Sequence, residues 1–125
     1  MIYGIGTDIV SYARIQSLYE KYGQRAAEHL LSETELGEYA ETADPARYLM
    51  KHFAAKEAFA KAMGTGLRAK VTLRRITVRH DELGKPLLSF DEALSNYVAN
   101  MGVTRYHLSI SDERDHAVAF VVLEK

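Results

Sequence analysis

Residues 45–64 read PARYLMKHFAAKEAFAKAMG, and this stretch decides the fold. It is rich in alanine, which has the highest intrinsic helix propensity. Asp44 precedes it, and an aspartate at the N-cap followed by proline at the first helical position is typical of a helix start. Gly64 is typical of a helix end. The pattern therefore predicts a helix from Pro45 to Met63.

One side of this helix carries an apolar stripe that a carboxylate interrupts. The stripe consists of Ala46, Leu49 or Met50, Phe53, Ala60 and Gly64. Glu57 lies on it between Phe53 and Ala60, and burying a carboxylate is unfavourable unless it is paired or binds a metal. Lys61 follows one turn later on the same side, so one interpretation is an i,i+4 ion pair on the helix surface.

The N-terminal segment offers a second interpretation of Glu57. Residues 2–10, IYGIGTDIV, predict a strand with Gly4, Gly6 and Asp8 on one face. That face is nearly bare, so another backbone could approach it closely, with Asp8 projecting at its end. If the helix packs there, Asp8 and Glu57 could share a divalent ion. Two carboxylates plus substrate phosphates are the usual way in which proteins hold Mg²⁺.

The other patterns complete a β-ααα-β-β-α-β-β order over one domain, residues 1–125. They are helical residues 12–30 with a possible break at Gly23, a capping box at Ser32–Glu35 opening a helix to about Thr42, strands at Val71–His80 and Leu87–Phe90, a helix at Asp91–Met101, and strands at Arg105–Ser111 and Ala117–Glu124. Residues 117–123 are apolar on both faces, as in a central strand. This order predicts an α+β domain with helices packed on an antiparallel sheet.

Charge is unevenly distributed along the chain. The segment from Arg47 to Arg79 has nine Lys and Arg but only one acid, a net charge of +8, whereas the whole chain carries −1. Such a block suits a polyanion: phosphates, nucleic acid or an acidic protein. A second basic stripe, which Leu18 interrupts, runs along the first helix: Arg14, Lys21 and Arg25. It is either a solvated face or a dock for an acidic helix of another protein.

Composition excludes several classes of site. The chain has no cysteine, which rules out disulfides, thiolate metal sites and cysteine nucleophiles. No apolar run approaches the roughly 20 residues of a membrane span, and the N-terminus does not resemble a signal peptide, so we expect a cytoplasmic location. The five histidines lack metal-binding spacing. A small RNA-binding domain would suit the basic block, but the paired aromatic stacking motifs are missing.

Two segments together resemble the signature blocks of the holo-[acyl-carrier-protein] synthases, the small bacterial 4′-phosphopantetheinyl transferases. GIGTDIV at 4–10 is similar to the G-x-D block, and FAAKEAFAKAMGTG at 53–66 is similar to F-x-x-K-E-A-x-x-K followed by G-T-G. DELGKP at 81–86 and YHLSISDERDHA at 106–117 extend the resemblance, which covers the chain from Ile2 to Leu123.

The resemblance implies the phosphopantetheinyl transferase fold and an activity. Such enzymes move 4′-phosphopantetheine from coenzyme A to a serine of apo acyl carrier protein, for fatty acid biosynthesis, and release adenosine 3′,5′-bisphosphate. They need Mg²⁺, for which Asp8 and Glu57 would be ligands, and Lys61 would neutralise the phosphate under attack. The resemblance also implies a homotrimer with active sites between subunits, and no nucleic acid or membrane partner.

Binding residues follow from the same resemblance. Coenzyme A contacts are implied for Arg47, His52, Lys56, Gly64, Thr65, Gly66, Lys85 and Pro86. Docking of the carrier protein is implied for Arg14, Leu18, Lys21 and Arg25. From the residues alone, the loop 64–66 is either a simple helix cap or a backbone surface that a nucleotide can approach.

Two positions depart from the family pattern. His52 stands where members often have arginine, and Asp112 stands where many have histidine. The residues do not choose between Glu57 and a metal-bound water as acceptor of the serine proton. The strongest competing interpretation is a non-catalytic module that holds coenzyme A or an acidic protein.

Overall fold

The computed structural model describes all residues from Met1 to Lys125 as one α+β domain. In chain order the elements are β1 (Ile2–Ser11), α1 (Tyr12–Tyr22), α2 (Gln24–Leu30), α3 (Glu33–Tyr39), α4 (Pro45–Met63), a 3₁₀ turn (Leu73–Arg75), β2 (Ile76–His80), β3 (Pro86–Phe90), α5 (Glu92–Asn100), β4 (Arg105–Asp112) and β5 (His116–Glu124). The predicted order and fold class are confirmed. None of the helices combines the length and apolar character that crossing a bilayer requires.

The strands form two antiparallel sheets. β1, β5 and β4 make a three-stranded sheet with β5 in the centre, as its apolar sequence predicts, and β2 pairs with β3 in a separate hairpin. The long helix α4 packs across the inner face of the three-stranded sheet. The core lies between them, and includes Leu49, Phe59, Val121 and Leu123, all inaccessible to solvent.

The position of α4 depends on two glycines of β1. A Cβ atom added to Gly6 would overlap the carbonyl oxygen of Ala58 and lie 2.7 Å from the backbone nitrogen of Ala62. One added to Gly4 would overlap the carbonyl oxygen of Ala62. Strand and helix backbones are therefore in direct contact, which confirms the prediction that the bare face of β1 admits another backbone.

The predicted helix boundaries are mostly correct. Asp44 accepts a hydrogen bond from Arg47 N as the N-cap of α4, and Gly64 ends the helix at φ 81°. Gly23, at φ 56°, separates α1 from α2. The capping box at Ser32 is present, but α3 ends at Tyr39 rather than near Thr42. The chain beyond it continues in i→i+3 turns, with Thr42 N bonded to Tyr39 O.

The strand predicted from Val71 to His80 is wrong in its first half. Residues 73–75 form the 3₁₀ turn, and β2 begins only at Ile76. The reason is tertiary, because the carbonyl of Leu73 turns inward and accepts a hydrogen bond from the Lys56 ammonium at 3.0 Å. A ladder position would point that carbonyl toward a neighbouring strand instead.

Gly6→Ala should therefore destabilise the fold. The added methyl must push α4 away from β1, and overpacking of this kind costs about 1–3 kcal/mol in the free energy of unfolding. Gly37→Ala is the matched control, because Gly37 lies within α3 with open space around its Cβ position and should gain a few tenths of a kcal/mol or more. Urea unfolding of both variants checks this. Equal stabilities of Gly6→Ala and wild type would disprove the backbone contact.

Candidate active site

Asp8, Glu57 and Lys61 come together where β1 meets α4. The ammonium of Lys61 lies 3.0 Å from Asp8 Oδ1 and also donates to the carbonyl of Thr7 at 3.0 Å. The interpretation of Glu57 and Lys61 as an i,i+4 ion pair on the helix surface is therefore wrong, since the Lys61 ammonium bonds to the strand instead. Asp8 is largely covered, while about half of the Lys61 side chain remains exposed.

Glu57 is the carboxylate of this group that no cation pairs with directly. Partial burial raises its pKa, and the neighbouring charge of Asp8 raises it further, while Lys61 and Arg14 oppose the shift. The two carboxylates are thus close enough to repel each other. A pair of repelling carboxylates beside a lysine is an arrangement that suits a divalent cation and a phosphate.

The loop 64–66 caps α4 and leaves its outer surface open. Gly64 N donates to Lys61 O and Gly66 N to Ala60 O, which satisfies carbonyls of the last helical turn. Both glycines have positive φ, and a Cβ on either would meet nothing within 4 Å. The cap is thus present, and the open side leaves room for the predicted approach of a nucleotide, which stays a prediction.

Lys56 lies elsewhere, in the core. Its side chain is 0% exposed, and its ammonium donates to Glu35 Oε1 at 2.5 Å and to the carbonyls of Leu30 and Leu73. All three of its N–H bonds are therefore in use. The prediction that Lys56 contacts coenzyme A is wrong, because the ammonium has neither access to solvent nor a free donor.

Glu35 is the acceptor at the centre of this buried group. Its Oε1 also accepts from Ser32 N, and its Oε2 accepts from Val78 N at 2.9 Å and lies 2.7 Å from His52 Nδ1. Burial alone would raise the pKa of Glu35, but the hydrogen bond with His52 and the charge of Lys56 outweigh it and hold the pKa at about 2. Glu35 is therefore an ionised carboxylate inside the core.

The spacing of residues in α4 contains a signal for the buried group of Glu35, His52 and Lys56. Leu49, Phe59 and Met63 are buried positions of α4, and the same helical spacing places His52 and Lys56 on their side. Two basic residues on a core-facing stripe require a buried acid. The sequence did not identify Glu35 as that acid, because the capping box already explained a glutamate at this position.

His52 also lines a cavity of about 220 Å³. The cavity is lined by Thr42, Asp44, Arg47, Tyr48, Lys51, His52, His80 and Ile110. It thus combines the predicted residues Arg47 and His52 with Lys51 and His80, which the sequence did not single out. Burial lowers the pKa of His52, so its imidazole adds no charge at neutral pH. The ring stacks on Tyr48 at 3.9 Å between centroids.

Arg47 is held by the turn between β4 and β5. Its guanidinium bonds to Asp112 Oδ2 at 3.0 Å and to the carbonyls of Glu113 and Arg114 at 2.9 Å. Lys51 pairs with the same Asp112 at 3.7 Å. Asp112, one of the two positions at which the chain departs from the family pattern, therefore pairs with two cations that line the cavity.

Lys85 and Pro86 lie at the turn of the β2–β3 hairpin. Asp81 Oδ1 accepts from the backbone nitrogens of Leu83 and Lys85 and closes this turn. Pro86 pairs with His80 in the ladder, which places it beside the cavity. Lys85 is exposed, so its ammonium is free to approach a phosphate.

The predicted docking residues lie on two helices rather than one. Arg14, Leu18 and Lys21 are on α1, but Gly23 turns the chain, and Arg25 begins a new helix. The prediction that Arg25 continues the basic stripe of the first helix is therefore wrong, because no helix continues through Gly23. Leu18 and Arg25 nevertheless line one depression of about 480 Å³ between the helices.

Arg14 is oriented toward the candidate active site. Its guanidinium lies 5.7 Å from the centroid of the Phe53 ring, one helical turn before Glu57. Its charge also lowers the pKa of Glu57. α1 therefore connects the depression beside Leu18 with the carboxylate pair.

The fold and this site define a class of protein. The family model of the 4′-phosphopantetheinyl transferase superfamily matches residues 4–121, and the chain belongs to this superfamily. Within it, the chain is 58% identical over 125 residues to the holo-[acyl-carrier-protein] synthase of Nitrosospira multiformis, covering all of both chains.

Solved structures agree with this assignment. The crystal structure of the holo-[acyl-carrier-protein] synthase from Neisseria meningitidis superposes with a TM-score of 0.98 at 53% identity, covering 100% of both chains. The holo-(acyl-carrier-protein) synthase of Bacillus anthracis, solved in complex with CoA (3′,5′-ADP), matches with a TM-score of 0.82 at 36% identity, covering 98% of this chain and 96% of that one.

The depressed pKa of Glu35 predicts a stability that depends on acid pH. The carboxyl titrates near 4.5 when unfolded and near 2 when folded, so its contribution is complete above about pH 4.5 and is lost as the pH falls toward 2. The full difference corresponds to about 3 kcal/mol. In urea unfolding from pH 7 to pH 3, wild type should lose about 2 kcal/mol of its advantage over Glu35→Gln. A pH-independent difference between them would contradict this assignment.

Proposed function

We propose that this protein transfers 4′-phosphopantetheine from coenzyme A to a serine of apo acyl carrier protein, with Mg²⁺ held by Asp8 and Glu57. The observation that carries the proposal is the convergence of these carboxylates with Lys61 at the contact of β1 and α4. The family membership supports the reaction type. Its product would supply holo acyl carrier protein to fatty acid biosynthesis. A cytoplasmic location remains a prediction.

The carboxylate pair fits the proposed metal. Hard oxygen ligands suit Mg²⁺, which usually takes one or two carboxylates and fills its other positions with waters and substrate phosphates. The raised pKa of Glu57 reflects repulsion from Asp8 in addition to burial, and a divalent cation would relieve that repulsion. Bound there, Mg²⁺ would withdraw negative charge from the diphosphate of coenzyme A.

The remaining chemistry belongs to the chain's own side chains. The serine hydroxyl oxygen attacks the phosphorus that carries the pantetheine arm, and the bond to the bridging oxygen breaks, so that adenosine 3′,5′-bisphosphate leaves with the electron pair. Lys61, tethered to Asp8 yet half exposed, can stabilise the charge on the phosphoryl oxygens. Glu57 or a water molecule beside it can accept the serine proton.

The cavity beside Arg47 suits the nucleotide part of coenzyme A. Arg47 and Lys51, both paired with Asp112, line it together with the aromatic ring of Tyr48, and Lys85 projects from the adjacent hairpin. The relative from Bacillus anthracis is described in complex with CoA (3′,5′-ADP), which is consistent with this ligand class.

The outer face of the three-stranded sheet supports a homotrimer. Ile5 and Ile9 on β1 are 62% and 64% exposed, and Val118 and Phe120 on β5 are 41% and 40% exposed. Ile9 pairs with Val118 and Thr7 with Phe120, so these side chains share one face, opposite α4. A continuous apolar face of this kind favours contact with other copies of the chain. Active sites between subunits are what the family resemblance implies for such an assembly.

The depression between α1 and α2 suits the carrier protein. Its lining is mostly apolar and includes Leu18 and Tyr22, while Arg25 and Glu28 add one charge of each sign. An acidic amphipathic helix would bury its apolar side there and meet Lys21 and Arg25 at the edges. Arg14, which lies nearer to Glu57, would hold the same helix close to the reacting serine.

Glu57→Gln should abolish transfer while coenzyme A still binds. The amide keeps the shape of the side chain but removes a charged ligand and the base, and we expect a fall in kcat of about 100-fold or more. Glu92→Gln, an exposed change at the start of α5, is the control and should be fully active. Calorimetric titration with coenzyme A and transfer assays measure both effects. Wild-type kcat in Glu57→Gln would refute the metal assignment.

Arg25→Glu should raise KM for the carrier protein at least about tenfold without changing KM for coenzyme A. A rim charge reversed in sign repels an acidic partner, and only that substrate reaches the depression. Lys125→Glu, an exposed change outside the depression, is the control with the same change of charge and should leave both KM values unchanged. Steady-state kinetics, with each substrate varied in turn, measures the two KM values. Equal effects on both KM values would remove Arg25 from the docking surface.

Phe120→Glu should dissociate the assembly. The carboxylate would be placed in the middle of the apolar face, where desolvation is unfavourable. Thr104→Glu, just before β4 and exposed, adds the same charge away from that face. Sedimentation equilibrium should give three chains for wild type and Thr104→Glu, and one for Phe120→Glu. A monomeric wild type would overturn the trimer.

A further inference from the structure

Helix α4 is fixed on two opposite sides. Successive residues of an α-helix are rotated by about 100°, so Lys56 and Ala58 point in nearly opposite directions and Glu57 lies between them. On the Ala58 side the helix backbone contacts Gly6 of β1. On the Lys56 side the ammonium is bound to Glu35. A helix held on both sides cannot turn about its axis.

The second attachment reaches four other segments of the chain. Through Lys56 and His52, α4 is bound to Glu35 of α3. The Lys56 ammonium also bonds to the carbonyl at the end of α2 and to that of the 3₁₀ turn, while Glu35 accepts from the backbone of β2. No buried side-chain nitrogen or oxygen in the protein lacks a hydrogen-bond partner. The attachment is thus complete and directional.

We propose that the buried Glu35–Lys56 pair positions Glu57 for metal binding by fixing the rotation of α4. The inference rests on the proposed function, in which Asp8 and Glu57 share a divalent cation. Asp8 is on β1, so the direction of Glu57 relative to it depends on how α4 is turned. Glu35 and Lys56 themselves touch neither substrate nor metal.

A small rotation is sufficient to matter. A side-chain tip lies about 5 Å from the helix axis, so a turn of about 10° moves it by about 1 Å. Misplacing a reacting group by about 1 Å can lower the rate about 100-fold. An ionic hydrogen bond depends more strongly on direction than an apolar contact does. Stability alone does not explain why the pair is present, because replacing both partners of a buried ion pair by apolar residues is often neutral.

The test compares variants that break the Glu35–Lys56 pair with a variant that disturbs the core elsewhere. Lys56→Met removes the cation while keeping most of its volume, and Glu35→Gln removes the anion while keeping its shape. Leu94→Ala is the matched control, since Leu94 is fully buried on α5, which packs against β3. Thermal unfolding identifies a temperature at which every variant is folded. Binding of Mn²⁺, followed by electron paramagnetic resonance with saturating coenzyme A, is then measured at that temperature.

We expect the dissociation constant of Mn²⁺ to rise about 10- to 100-fold in Lys56→Met, the range found for residues that orient metal ligands. kcat should fall by a similar factor, with KM for the carrier protein unchanged. Leu94→Ala should lower the melting temperature and leave Mn²⁺ binding at the wild-type value. Glu35→Gln should follow Lys56→Met, and it carries the test if Lys56→Met does not fold.

Wild-type Mn²⁺ binding and kcat in folded Lys56→Met or Glu35→Gln would overturn the inference and leave the pair as a core contact. The same result in Leu94→Ala as in Lys56→Met would also overturn it, since general loosening would explain both. Wild type that binds no Mn²⁺ would instead defeat the proposed function. The two failures are therefore distinguishable.

Discussion

The direct contact between the backbones of β1 and α4 is the constraint on which the rest of this structure depends. Gly4 and Gly6 leave no side chain between strand and helix, so the alanine side of α4 rests on the strand itself. Because Asp8 is two residues beyond Gly6 on the same face of β1, the close approach places it beside Lys61. A larger residue at either glycine would separate the two halves of the site.

Charge serves two separate purposes on the same helix. Glu57 and Lys61 face β1 at the edge of the domain, where water and a substrate can reach them. Lys56, the neighbour of Glu57, is buried with Glu35 and His52, and every polar atom there is satisfied. Lys56 and Glu57 are adjacent in the sequence but lie in different environments, because successive side chains of a helix are rotated by about 100°.

Local patterns were sufficient for much of the fold and for the centre of the site. The alternation in residues 2–10 predicted both the strand and its bare face, and the caps at Asp44 and Gly64 predicted α4 to the residue. The family motifs then designated Asp8, Glu57 and Lys61, which the structure brings together. What failed was tertiary, because each feature depends on a residue that is distant in sequence: the 3₁₀ turn at Leu73 is bound by Lys56, and the buried Lys56 is bound by Glu35. The break at Gly23 similarly moved Arg25 off the axis of α1.

The central claim is that this protein loads a carrier protein from coenzyme A with the help of a metal at Asp8 and Glu57. Intact-mass spectrometry of apo acyl carrier protein, incubated with this protein, coenzyme A and Mg²⁺, tests it most directly. The account predicts a mass increase of one phosphopantetheine arm, which EDTA abolishes. An unchanged mass while coenzyme A remains bound would contradict it and favour a binding module, and an increase that persists in EDTA would contradict the metal.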